Sequence, residues 1–372
     1  MPRSKTSKLS LLALCLCPLS GFAAEDGVVE QLLVTGSYAP SSALTSSVSV
    51  LEASEIRALN KRSVAGLLKT MPGLLVEEQG GPGGLTAVSI RGGEANFTLV
   101  LLDGVALNDP TNSRGGGFDF SELSTALIER IEVVRGAQSA VYGSDALAGV
   151  INIITRRPSQ GHAQQVYLEG GEDDYSDLGF SAHGAAGRLD YSAALDLRDE
   201  GEPVEGSTWE SDRAHLRLGW RLSGAHYLSV AYQYLDGERS SYPEQSGGPV
   251  YAADRTLDNS DSEDISSRVN LSQAIGTIWT TEFDVNYFRR KEDYTSPGIA
   301  PYLDVPPQIQ DSDYSRVRAF WINSFKLPAN SDLALGVDGR WESGNVEGSV
   351  DFFGTLLPTD FKLDRDTICL LY

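Results

Sequence analysis

The sequence predicts a small α/β domain followed by an antiparallel transmembrane β-barrel, and three observations carry that prediction. Residues after 160 alternate apolar and polar side chains with a period of two, over runs of about ten. The connections there alternate between short turns and long polar loops. Residues 46–157 instead mix helical periodicity with short apolar runs.

The chain opens on a targeting segment. Arg3, Lys5 and Lys8 precede an apolar run over 9–19, and Gly21-Phe22-Ala23-Ala24 follows. That is the layout of a secretory signal peptide over 1–23, with cleavage expected after Ala23 or Ala24. The run is too short to span a bilayer as a helix. Leu14 and Leu16 stand where a lipoprotein site before Cys15 or Cys17 would need a small residue. With both cysteines inside the signal, Cys369 alone remains, and no intrachain disulfide is expected. No further apolar run reaches the length of a spanning helix, so the exported chain is either soluble or a barrel. The net charge of −21 argues against nucleic acid as a partner and suits a solvated surface with acidic loops.

Residues 24–45 form a small, Ser-rich leader with one apolar island, Leu32-Leu33-Val34. Residues 46–157 carry the mixed signals. Val64, Leu67 and Leu68 share a helical face that Pro72-Gly73 terminates. Asp103-Gly104 separates two apolar runs and reads as a hairpin turn, because both positions tolerate positive φ. Ile128, Ile131, Val133 and Val134 lead to Arg135-Gly136, and the continuous run over 150–154 reads as a buried strand.

The remainder, 158–372, is strand-like. Ala214, Leu216, Leu218, Trp220 and Leu222 alternate with Arg213, His215, Arg217, Gly219 and Arg221. Tyr191, Ala193, Leu195 and Leu197 do the same, as do Phe283, Val285 and Tyr287, then Val317, Ala319 and Trp321, then Leu333, Leu335 and Val337. Short turns at Ala186-Gly187 and Ser223-Gly224 contrast with long loops over 237–261 and 293–311. A soluble β-sandwich is the alternative, with strands of about five or six residues.

The motifs of 46–157 are dense. Ser63-Val64-Ala65-Gly66-Leu67-Leu68 leads to Met71-Pro72-Gly73-Leu74. Ser89-Ile90-Arg91-Gly92 follows, then Leu101-Leu102-Asp103-Gly104-Val105. Val133-Val134-Arg135-Gly136 precedes Tyr142-Gly143-Ser144-Asp145 and Val150-Ile151-Asn152-Ile153-Ile154. This text resembles the plug domain of the TonB-dependent outer-membrane receptors over about a third of the chain. The resemblance implies active uptake of a scarce nutrient across a Gram-negative outer membrane, and no enzyme. It implies TonB as partner, with ExbB and ExbD, and contact with outer-membrane lipid and lipopolysaccharide. It also implies a plug inside a barrel of about 22 strands. About ten candidate strands follow Gln164, too few to enclose a plug, so the barrel is expected to be incomplete in this chain.

What the resemblance implies for sites follows residue by residue. Glu30-Gln31-Leu32-Leu33-Val34-Thr35-Gly36 resembles a TonB box, a short extended segment able to add a strand to a partner's sheet. Arg91 and Arg135 correspond to arginines that dock the plug on barrel carboxylates. The loop with Gln79, Gly80, Gly81, Gly83, Leu85 and Thr86 is similar to the apex loop of the family's cobalamin receptors, where glycines let a ligand approach the backbone. A second apex segment would hold Asn108, Asp109, Thr111 and Asn112. A cobalamin or corrinoid ligand is therefore the first expectation, a ferric-siderophore or haem receptor the second, and a passive porin or adhesin barrel the reading from another class. No cofactor is required by the motifs. Asp254, Asp258, Asp261 and Asp264 could hold calcium in an extracellular loop, since hard cations take several carboxylates. No catalytic constellation stands out. His162, His183, His215 and His226 form no metal spacing and are expected to be solvated or lumen-facing.

Overall fold

The computed structural model describes residues 47–112, 115–125, 128–156, 161–299, 305–328 and 331–371. The signal peptide, the leader and the Glu30 to Gly36 segment lie outside them.

Seven strands build the N-terminal domain: β1 (Ser47–Glu52), β2 (Leu74–Glu78), β3 (Thr86–Ile90), β4 (Thr98–Leu102), β5 (Val105–Ala106), β6 (Ile128–Arg135) and β7 (Gly149–Thr155). Helices α1 (Ala53–Leu59), α2 (Val64–Leu68) and α3 (Ser139–Tyr142) accompany them. One sheet runs β1-β6-β7-β4-β5, with β4 parallel to β7, while β2 and β3 form a separate hairpin. Ser63 starts α2 by accepting from the Gly66 amide at 3.0 Å, which satisfies one orphan donor of the first turn. Val64, Leu67 and Leu68 are fully buried, as their shared face requires. The Asp103-Gly104 hairpin forms as expected, with φ of 50° and 84°. All seven residues of β7 are buried. Ile131, Val133, Ile151 and Ile153 join α2 in one core, each contributing about 2 kcal/mol by leaving water.

Eleven strands form the second sheet: β8 (His162–Gly170), β9 (Ser176–Ala186), β10 (Leu189–Asp199), β11 (Thr208–Ser223), β12 (His226–Ser241), β13 (Asp258–Ile275), β14 (Trp279–Ser296), β15 (Gln308–Leu327), β16 (Ser331–Phe352), β17 (Thr355–Pro358) and β18 (Phe361–Leu371). Neighbours pair antiparallel in chain order, and β17 and β18 both pair with β16 at different heights. The sheet is open among the described residues, with β8 at one edge. It wraps the N-terminal domain as a wall.

Burial on this wall is inverted relative to a soluble protein. Asp196, Arg213, His215, Arg239, Asn270 and Arg290 are buried against the N-terminal domain, whereas Leu195, Leu218, Trp220 and Trp321 are about half exposed on the outside. A polar inner face with an apolar outer face is the pattern of a membrane barrel, and it removes the sandwich alternative.

The register shows where the membrane lies. Leu189, Trp220, Leu228, Leu271, Phe283, Trp321 and Val337 stand side by side across seven strands. Two rows higher, Leu216, Tyr232, Tyr287, Val317 and Trp341 form an aromatic-rich row. From Leu333 to Trp341 the apolar stripe of β16 covers nine residues, about 27 Å along the strand, at the short end of the range for a tilted transmembrane strand. Above it, Asp199, Glu210, Glu238, Asp261, Asp293, Asp311 and Glu347 form one continuous outward row of carboxylates.

This acidic row corrects the expected loops. Residues 237–241, 258–261, 293–296 and 308–311 belong to strands, so the first loop shrinks to 242–257 and the second begins after Ser296 and ends before Gln308. Above the belt both faces of a strand are polar, so the period-two signal fades although the pairing continues.

Candidate ligand-binding site

A cavity of about 880 Å³ opens between the β2–β3 loop and the upper wall. Gln79, Gly80, Gly83, Gly84 and Leu85 form one side, and Arg239, Tyr242, Asp258, Tyr294 and Gln308 are among the residues opposite. The loop is tight: the Gln79 amide donates to the Leu85 carbonyl and the Gly84 amide to the Gly81 carbonyl, each at 3.0 Å. Its glycines divide by role. Gly80 adopts φ of 70° with nothing within 4 Å of where a Cβ would stand, so its backbone is open to a ligand. Gly83 is pressed against the wall, where its amide donates to Ser207 Oγ at 3.1 Å and a Cβ would collide with the Ser240 carbonyl. Thr86 is buried beneath the loop and does not line the cavity.

The second expected segment is placed elsewhere. Asn108 accepts from the Val100 amide at 2.8 Å and donates to the Thr98 carbonyl at 3.1 Å. Asp109 accepts from the amide and hydroxyl of Thr111, and burial raises its carboxyl above the ordinary range. Asn112 donates to the Gly117 carbonyl at 2.9 Å. These side chains satisfy their own loop, and Arg316 of β15 reaches the Asn108 carbonyl at 3.0 Å. Asn108, Asp109, Thr111 and Asn112 thus shape their own loop, which meets the wall through the Asn108 carbonyl, and none of the four lines the cavity.

The docking contacts seen on the described wall are made by residues other than Arg91 and Arg135. Arg135 donates to the Pro72 carbonyl at 2.9 Å and to Ser49 Oγ at 2.8 Å, inside its own domain, and Arg91 is exposed beside it. Neither meets the wall among the described residues. Over the middle of the wall the strands supply the cations and the N-terminal domain the acceptors, whereas at the β8 edge Arg62 of the domain pairs with Glu169 at 2.9 Å. Arg239 of β12 pairs with Asp119, and Arg290 of β14 pairs with Glu122 and with Asp264 of β13. Arg213 donates to the Glu122 carbonyl at 3.0 Å, Arg268 to the Asp103 carbonyl at 3.0 Å, and Arg340 to the Tyr142 carbonyl at 3.0 Å. Burial pushes the Glu122 carboxyl up to about 7, with Asp264 and Asp119 adding to the rise against Arg290 and Arg239. Burial also pushes Asp103 up, but His215, Thr155 and Arg217 outweigh it and hold that carboxyl below its usual range. Gln233 of β12 donates to Asp103 at 3.0 Å, so the hairpin turn is itself a docking point. The wall arginines were missed in the sequence. Their only signal was parity, an arginine on the polar face of a strand.

The four aspartates offered for calcium do not converge. Asp264 faces inward onto Arg290, Asp261 faces outward, Asp258 lines the cavity and Asp254 lies in the loop, capping the Thr256 amide at 2.8 Å. Strand alternation separates Asp261 from Asp264. No group of three or more possible metal ligands forms among the described residues.

Comparison with known proteins adds to this geometry. A family model described as TonB-dependent Receptor Plug Domain matches residues 40–150. The chain is 36% identical over 314 residues to the "Vitamin B12 transporter BtuB" of Vibrio vulnificus (strain YJ016), covering 83% of this chain and 49% of that protein. It is 32% identical over 268 residues to the protein of that name from Photobacterium profundum, covering 68% of this chain and 43% of the other. The chain spans about half the length of the curated relatives it matches. Among solved structures, Pseudomonas aeruginosa FpvA bound to a heterologous pyoverdine superposes with a TM-score of 0.68 at 16% identity, over 87% of this chain and 48% of that one. The copper transporter OprC gives 0.63 at 17% identity, over 80% and 46%. Likeness at that identity is one of fold.

Proposed function

We propose that this chain, which belongs to the TonB-dependent receptor family, supplies the plug and wall strands of an importer that takes up cobalamin or a related corrinoid across the Gram-negative outer membrane. The family is one of receptors and transporters, not an enzyme class. The observation that carries the reading is the cavity of about 880 Å³ where the glycine-rich loop of the plug meets the upper wall. It stands above the plug, so in a closed barrel a ligand seated there would reach the periplasm only if the plug moves.

That movement needs energy from elsewhere. The Glu30 to Gly36 segment would pair as an added strand with TonB, which ExbB and ExbD would drive. The apolar outer rows would meet lipid, and the wall above them lipopolysaccharide. Arg91 and Arg135 remain candidates for docking on carboxylates outside the described residues. Arg135 Nη2 is buried without a hydrogen-bond partner, and the exposed Arg91 stands next to it.

The test is saturable binding of labelled cyanocobalamin to outer membranes carrying the receptor, with and without calcium. Tight binding supports the corrinoid reading. A folded receptor that ignores cyanocobalamin but binds ferric chelates would replace it with the siderophore reading. Deleting 32–35 should abolish uptake and leave binding intact. Uptake that survives the deletion would point to a passive pore.

A further inference from the structure

We propose that Arg239 and Asp119 are positioning residues that couple the ligand cavity to the apex loop and to the plug beneath it. The inference rests on the uptake reading, since it assigns how an occupied cavity is sensed.

Arg239 belongs to two environments at once. It lines the cavity, yet it is almost wholly buried, with its guanidinium over the Trp209 ring at 5.4 Å. Its Nη1 is engaged by Asp119 of the plug. Its Nη2 lies 3.5 Å from Glu122 and 3.8 Å from Glu292, and it makes no hydrogen bond. A ligand seated in the cavity packs against Arg239 and biases how its guanidinium is shared among Asp119, Glu122 and Glu292.

Asp119 carries the effect onward. Its side chain is fully buried, and Oδ1 accepts from the Thr86 amide and from the Ser121 amide, each at 3.0 Å. Thr86 is where the apex loop enters β3. Ser121 lies in the short 3-10 turn Phe120–Glu122, whose last residue pairs with Arg290. One carboxylate therefore holds the loop, the turn and the cavity's arginine. Because a buried carboxylate is costly without its cation, any pull on Arg239 must be answered by a shift of Asp119. The loop's second wall contact, Gly83 on Ser240, falls beside Arg239 on the same strand, so that strand frames both anchors.

Hydrogen exchange on the whole receptor tests this, first without ligand. Arg239→Met should speed exchange of the Thr86 and Ser121 amides at least tenfold, while amides of β13 and β14 keep their protection. Unchanged exchange at Thr86 would overturn the proposal. So would loss of protection spread evenly over the plug, the result expected of a purely structural strut. The pair Arg239→Met with Asp119→Asn removes both charges of the closest contact together and guards against a variant that does not fold. In it, Thr86 should exchange within threefold of wild type, because the asparagine oxygen still accepts from that amide. In the second arm, cyanocobalamin should change Thr86 exchange at least threefold in wild type and leave it unchanged in the double variant. An equal response in both would overturn the coupling. Failure of wild type to bind cyanocobalamin counts against the corrinoid reading, and the ligand-free arm still decides this one.

Discussion

Gly83 of the plug lies directly against the backbone carbonyl of Ser240 in the wall, closer than any side chain would allow. The contact binds the apex loop to the upper wall, at the junction with β11 and β12. Gly83→Ala should therefore displace the loop and cost about 1–3 kcal/mol, as overpacking does. Gly80→Ala meets open space and should cost about 1 kcal/mol for its positive φ alone, with the loop left in place. Hydrogen exchange at the Gly83 amide separates the two, and equal exchange in both variants would show that the contact does not hold the loop.

Arg290 is shared by Glu122 of the plug and Asp264 of the wall, all buried. Arg290→Met leaves two carboxylates facing each other without their cation, and should destabilise the docked plug by about 3–5 kcal/mol. Arg289 is one residue away and points outward to Asp313, where both partners are partly exposed. Arg289→Met should cost less than about 1 kcal/mol. Denaturant midpoints of plug release would compare them, and similar losses would refute the division into inner and outer faces.

Glu122 makes docking depend on pH. Its folded value is raised to about 7 from an ordinary 4.5, so the docked plug binds more protons than the released one between those values. Docking should be firmest below pH 4.5 and should weaken as pH rises toward 7. Glu122→Gln should remove that slope. Asp103 has the opposite sign: its contribution is present above the ordinary 3.8 and is lost as pH falls through its lowered value. A plug-release profile that is flat from pH 4.5 to 7 in the wild type would exclude Glu122 as the titrating group.

The outward carboxylate row sets like charges directly opposite one another, which costs roughly 0.2–1 kcal/mol per pair. Salt should therefore raise the unfolding temperature of the wall. Asp261→Asn with Asp293→Asn should raise it at low salt and shrink the salt response. An unchanged salt response would mean that neighbouring groups already neutralise the row.

Much of this protein was legible in its residues. Pro72-Gly73 and Asp103-Gly104 act on their own neighbours, so a break after a helix and a hairpin turn could be read where they stand. Leu216, Leu218 and Trp220 announce their strand by alternation, because lipid outside and a polar lumen inside impose one chemistry on each face. The glycine loop was also visible, although not which glycine faces a ligand and which packs on the wall.

Partnership across the chain was decided by tertiary structure. Arg239 and Asp119 are 120 positions apart, and Arg290 and Glu122 are 168 apart. Nothing local in either residue specifies the other, and Arg91 and Arg135, the docking cations that the motifs suggest, meet no part of the described wall. Only the register of β11 to β16 decides which row each wall arginine occupies, Arg213 level with Arg290 and Arg268 level with Arg340, and that register also aligns the carboxylates above the membrane. Alternation tells a side chain which face it occupies. Its height and its partner come from the pairing of whole strands, whose free energy is spread over every residue in them.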